Sequence, residues 1–280
     1  SQLKLKNQTP IFIDEPELYL HPQGRRNFYK IIRELADNGT QVFITTHSTE
    51  FVSLDRFNEI NIVRKSMDKG TYIRKAAAAD FVADLKKRNG IESSEDDLMF
   101  RYKDAYENTG DSQRASEAMF ARKEGESESL ILPYFFDLMD YDYVAEGATI
   151  VRCGGKSEID RFYRLYSEFG IPCFVIFDGD KQNIGKDDEK ATIKKNRGIL
   201  RMFGCNDDFP DGIVHERYIG FEKRLEENLF IGDVGKALEL YIRTKKAIDS
   251  QEKVPEWVSK VIEKLNNLPN EAESILQREE

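Results

Sequence analysis

The chain has 280 residues, of which 40% are hydrophobic and 33% charged, with a formal net charge of -9. That length suits two domains better than one, and the apolar fraction excludes a disordered polymer. No apolar run approaches the roughly 20 residues of a membrane span, no basic-plus-apolar leader opens the chain, and Cys153, Cys173 and Cys205 lack the CxxC spacing of a zinc site or disulfide framework, so the cytoplasm is expected.

Pro10-Ile11-Phe12-Ile13 predicts a short strand that runs into Asp14-Glu15. A helix is expected over about 23–37, where Phe28, Ile31, Ile32 and Leu35 recur at helical spacing, and Gly39 closes it. A second buried strand covers 41–45, and a hairpin is expected around Asp68-Lys69-Gly70. From 76 to 122 the pattern is helical and highly charged, with Gly90 and Gly110 as breaks, which suits an inter-domain connector. Helix–strand alternation then resumes: helix 129–139, strand 149–151, helix 158–169 and the fully apolar strand 173–177, suited to the middle of a parallel sheet. A basic stretch covers 186–203, and the tail from 221 reads as mostly helical. The expected class is α/β with three segments: 1–80, a helical connector 81–117, and 118–280.

Two groups of residues carry chemistry. In the first, an apolar strand ends in Asp14 and Glu15, and a second ends in Thr45-Thr46-His47-Ser48. Adjacent carboxylates can hold a magnesium-bound water and orient an attacking one, and a histidine can sense a γ-phosphate. This pair resembles the Walker B motif and switch histidine of ABC-type ATPases, and Leu18-Tyr19-Leu20-His21-Pro22 resembles their D-loop region. No G-x-x-x-x-G-K-[ST] loop occurs. The resemblance therefore implies the C-terminal part of such a domain in a chain that starts as a fragment, with ATP bound well only by the full-length protein.

In the second group, Glu124-Gly125-Glu126-Ser127-Glu128 directly precedes an apolar helix, and Glu124 and Glu128, four residues apart, share a face if the helix has begun there. Asp178-Gly179-Asp180 ends the strand 173–177, at the edge of a parallel sheet where ligands bind. Between them Gly154, Gly155 and Lys156 form a turn that either cradles a phosphate or merely joins strand to helix. Hard oxygen donors favour Mg²⁺ or Mn²⁺, and two such ions suit phosphodiester cleavage. Lys181, Lys186, Lys190, Lys194, Lys195, Arg197 and Arg201 read either as a surface for a nucleic-acid backbone or as a solvated face.

The Glu-then-DxD order resembles the Toprim domain, a Rossmann-like parallel sheet. Behind an ABC-type ATPase it resembles the OLD (overcoming lysogenization defect) family of nucleases, which includes the Gabija anti-phage nuclease. The departure is that Ala118-Met119-Phe120-Ala121 is followed by Arg122-Lys123 instead of running straight into Glu124. The resemblance implies a metal-dependent DNA endonuclease or nickase, a homodimer or higher oligomer formed through the ATPase domain, and a possible helicase partner. It also implies a third acid, assigned to Glu226 with Glu222 as alternative, and a charge-stabilising lysine, assigned to Lys253 with Lys246 as alternative. Other readings are a different Toprim chemistry, such as strand passage or primer synthesis, and an inactive DNA-binding module.

Overall fold

A computed structural model describes residues 9–67, 69–89, 92–108, 123–126, 131–229, 237–269 and 272. It divides into two compact units, Ser1–Leu54 and Asp55–Glu280.

In the first unit, strand β1 (Ile11–Asp14) pairs in parallel with β2 (Val42–Thr45), so that Asp14 lies opposite Thr45. Helix α1 (Pro22–Asp37) makes the crossover that a parallel pair requires. Pro22 stands at its first position, where a missing N–H costs nothing, and Gly39 follows its end with φ of 91°.

The second unit opens at Asp55. An antiparallel hairpin, β3 (Ile62–Ser66) and β4 (Gly70–Arg74), falls in it together with helices α2 (Ala78–Asn89) and α3 (Glu95–Asn108). The reason is packing. Phe57 meets Phe81 and Tyr102 with ring centroids 5.5 and 4.9 Å away, and the three rings are buried together. Tyr102 then donates its hydroxyl to the Arg161 carbonyl at 3.3 Å, which ties these helices to the sheet domain.

The sheet domain is built on four parallel strands in the order β6-β5-β7-β8. They are β5 (Lys123–Glu126), β6 (Ala148–Ile150), β7 (Cys173–Asp178) and β8 (Tyr218–Phe221). Side chains alternate across β7 and β8. Phe174, Ile176, Ile219 and Phe221 join a core with α4 (Ile131–Leu138), α8 (Ala237–Ala247) and α9 (Glu256–Asn267), short helix α7 (Leu225–Asn228) closing one side. On the other face Tyr218 stacks on Phe203 at 4.5 Å, just beyond α6 (Glu189–Met202), and Phe203 meets Tyr163 of α5 (Lys156–Glu168) at 5.1 Å. Helices thus cover both faces, as parallel sheets require, and the first five residues of β7 are buried. Strand β8 begins three residues before the tail that reads as helical in the sequence.

Candidate functional site

The C-terminal ends of β7 and β8 carry three of the expected acids, Asp178, Asp180 and Glu226. Asp178 is the last residue of β7, and its Oδ1 accepts the backbone N–H of Leu225 at 2.9 Å, at the start of α7. Gly179 then crosses against β8: its N–H donates to the Phe221 carbonyl at 2.6 Å. A Cβ at Gly179 would lie 2.6 Å from the carbonyl oxygens of Phe221 and Glu222 and 2.7 Å from Pro210 Cδ. Only glycine permits that approach.

Asp180 takes the left-handed conformation, φ 54° and ψ 37°, which costs a non-glycine residue and persists where its surroundings fix it. Its N–H donates to the Lys223 carbonyl at 3.0 Å. Its carboxylate receives Lys156 Nζ on Oδ2 at 2.6 Å, and Gln182 Nε2 on Oδ1 at 2.9 Å, with Arg224 Nε at 3.5 Å. Burial pushes its pKa up, but the bonds from Lys156, Gln182 and Arg224 and the Lys156 charge outweigh this and hold it below the ordinary value. Asp180 is ionised at neutral pH, a carboxylate in the form that binds metal.

Glu226, the sequence candidate for a third acid, follows Leu225 directly. Its Oε2 is buried without a hydrogen-bond partner, as is Gln182 Oε1. An unsatisfied buried carboxylate oxygen is costly, and a bound cation would satisfy it. Glu222, the alternative, instead pairs with Lys181 at 3.0 Å. Carboxylate and amide oxygens of the kind on Asp178, Asp180, Glu226 and Gln182 are hard donors, the chemistry that suits Mg²⁺ or Mn²⁺ rather than zinc.

The remaining candidates fall out differently. Lys156 opens α5 behind Gly154 and Gly155, whose φ values are 75° and 148°. Lys253 closes a short turn (Gln251–Lys253) and pairs with Asp249 at 2.7 Å; no described bond takes it to Asp178 or Asp180. Glu128 lies outside the described residues, as do Ala118 to Ala121. Glu124 lies on β5 next to β7, but opposite Cys173. Asp178 is five residues further on, about 16 Å along the strand at ~3.3 Å per residue. The register therefore does not bring Glu124 level with Asp178; Glu126, opposite Val175, is the nearer described acid of β5. Among the described residues no three of His, Cys, Asp and Glu already form a metal cluster.

In the first unit, Asp14 and Glu15 leave the end of β1 beside Thr45. Thr45 Oγ1 donates to Asp14 Oδ1, and the Glu15 N–H donates to the Thr45 carbonyl at 3.0 Å. His47 Nε2 lies 3.8 Å from Glu15 Oε1. Glu17 was not among the expected residues. It is buried, and its Oε1 accepts from Thr46 Oγ1 at 2.8 Å and the His47 N–H at 2.7 Å, orienting the histidine backbone. Burial raises its pKa, yet the backbone bonds of Glu17 and His47, with those from Thr46, lower it overall.

Residues 119–180 match the family model described as the TOPRIM domain of overcoming lysogenization defect protein-like proteins, and residues 2–52 match that of an AAA ATPase domain. Three curated relatives are similar. The OLD nuclease of Thermus scotoductus is 30% identical over 190 residues, 66% of this chain and 33% of that protein. The Old nuclease of Escherichia phage P2 is 26% identical over 176 residues, 62% and 28% of the two chains. Endonuclease GajA of Bacillus cereus is 25% identical over 255 residues, 82% and 35%. The chain thus spans about a third of the length of the curated relatives it matches. It carries an OLD-like Toprim segment behind an ATPase-domain segment, in the order the sequence motifs indicate. No described helix is long and apolar enough to cross a membrane.

Proposed function

We propose that the second unit is a nuclease module that hydrolyses DNA phosphodiester bonds with Mg²⁺ or Mn²⁺, two ions being the expected number. Asp178, Asp180 and Glu226 hold the metal, with a further carboxylate from the 124–128 segment; the Toprim pattern matches Glu124 and Glu128, while the β5 register sets Glu126 nearer to Asp178 than Glu124. Divalent ions at such a site activate water and stabilise the leaving oxygen. Lys156, beside Asp180, offers a cation to a phosphate. Lys190, Lys194, Lys195, Arg197 and Arg201 are exposed on α6, whose Asn196 reaches the Gly179 carbonyl beside Asp180, and would contact the DNA backbone without reading sequence. In the full-length protein the ATPase domain, with Asp14, Glu15 and His47 at the strand ends, binds ATP and couples its cycle to cleavage through a homodimer or larger oligomer. A helicase partner belongs to the same reading.

The observation that carries it is the buried, partnerless Glu226 oxygen directly after the residue that caps Asp178. Supercoiled plasmid incubated with the full-length protein and Mn²⁺ should be nicked or linearised, and chelation should stop it. Asp178→Ala, folded by circular dichroism, should lose cleavage at least 100-fold, since a lost ligand removes the ion that activates the water. Unchanged cutting by that variant would refute the assignment. Glu124→Ala and Glu128→Ala, made separately, tell which acid of the β5 segment serves.

A further inference from the structure

Asn196 lies on the inward face of α6 and is fully buried, at 0% exposure. A buried amide is costly unless both its ends are bonded, and both are. Its Nδ2 donates to the Gly179 carbonyl at 2.7 Å, and its Oδ1 accepts from Lys156 Nζ at 3.1 Å. The carbonyl can only accept and the ammonium can only donate, so the two partners fix which end of the amide faces which. The bridge therefore joins three elements: the turn between Asp178 and Asp180, the lysine that opens α5, and α6. Gly179 is held on its other side by the Phe221 carbonyl, and the next residue, Asp180, sits in its left-handed conformation. Lys156, whose side chain is 16% exposed, has one donor on Asp180 and a second on Asn196.

We propose that Asn196 is a positioning residue: one side chain sets the Asp178–Asp180 turn and the Lys156 ammonium relative to each other. Its consequence for metal rests on the site reading above; its grip on Lys156 does not. Removing the amide oxygen frees Lys156 from one of its two anchors, whereas a carboxylate in its place grips the ammonium harder and faces the Gly179 carbonyl with a like-signed oxygen.

The test uses two variants and two readouts on the full-length protein. Acylation of Lys156 by an amine reagent without metal, read by mass spectrometry, should rise at least threefold in Asn196→Leu and fall at least threefold in Asn196→Asp. Opposite responses at one site are not what a merely structural residue gives. Affinity for Mn²⁺ alone, by calorimetry, should weaken about tenfold in Asn196→Leu, about 1.4 kcal/mol. Labelling that stays within twofold in both variants, or moves the same way in both, overturns the proposal; if Asn196→Leu does not fold, a rate in Asn196→Asp at or above wild type does so. Absence of Mn²⁺ binding by the wild type sinks the metal reading instead, while the labelling pattern still decides for or against the grip on Lys156.

Discussion

Gly179→Ala isolates the geometry on which the site depends. An added Cβ would meet the Phe221 and Glu222 carbonyl oxygens, both at 2.6 Å, and Pro210 Cδ at 2.7 Å. None of the three is the far end of a flexible side chain, so relief must come from moving the turn or β8. Overpacking of this kind costs about 1–3 kcal/mol, and rigid neighbours place it at the upper end. Moving the turn also weakens the 2.6 Å bond from Gly179 to Phe221, worth about 1 kcal/mol. The expected loss is therefore about 3–4 kcal/mol. Gly198 is the control: it lies within α6 and an added Cβ there meets nothing within 4 Å. Gly198→Ala should stabilise by about 0.5–1 kcal/mol, since alanine gives up less chain entropy in a helix. The probe is built in. Trp257, the one tryptophan of the sequence, packs edge-on against Phe221 at 5.2 Å, so its fluorescence during urea unfolding reports the core around β8. A Gly179→Ala loss below about 1 kcal/mol, or a like-signed change at Gly198, would refute the close-approach argument.

Two other perturbations probe the same domain. Arg164, with 11% side-chain exposure, sits between Asp160, at 2.5 Å, and Asp84 of α2. Burial disfavours its charge, but the two carboxylates hold its pKa above the ordinary value. Arg164→Ala removes the cation between the two carboxylates and should cost about 3 kcal/mol, with Asp84→Asn recovering part of the loss in the same unfolding assay; a loss under about 1 kcal/mol would count against it. Asp211 accepts the Ile213 N–H at 2.9 Å and His215 Nε2 at 3.0 Å. Burial raises its pKa, and the bonds from Ile213 and His215 bring it below the ordinary value. A lowered carboxyl stabilises the fold above the unfolded pKa, about 3.9, and that contribution disappears as pH falls through the folded value. The urea midpoint should thus drop less between pH 7 and pH 3 in Asp211→Asn than in wild type, and an equal drop would rule out this contribution.

What the sequence discloses is what repeats or contrasts locally. The apolar run 173–177 ending in Asp178-Gly179-Asp180 announces a buried parallel strand with a polar edge, and the structure has β7 there. Strand β8 is harder to read because it is four residues long and contains Gly220, which looks like a break. In the fold that glycine is required: a Cβ would collide with Pro210 Cβ and lie 2.7 Å from Phe177 Cζ. Asn196, Pro210 and Glu17 carry no local signal, because their roles arise from contacts with residues distant in sequence. The Lys-Glu-Gly-Glu of β5 departs in the other direction. It sits between β6 and β7 without the apolar run that a central parallel strand ordinarily has.

The charges around Asp180 point to a division of labour within the site. Lys156, Gln182 and Arg224 keep that carboxylate ionised, so a divalent ion arriving at neutral pH has no proton to displace. The same lysine competes for Oδ2 at 2.6 Å, where its charge opposes an incoming cation. Glu226 Oε2 has no such competitor among the described residues. In the proposed site a divalent ion would give Glu226 Oε2 the partner it lacks. On that proposal Asp180 would be released to a metal when Lys156 turned to another anion, and a nucleic-acid phosphate is an anion of the right kind. Metal and substrate would then reinforce each other through one lysine, whose second anchor is Asn196.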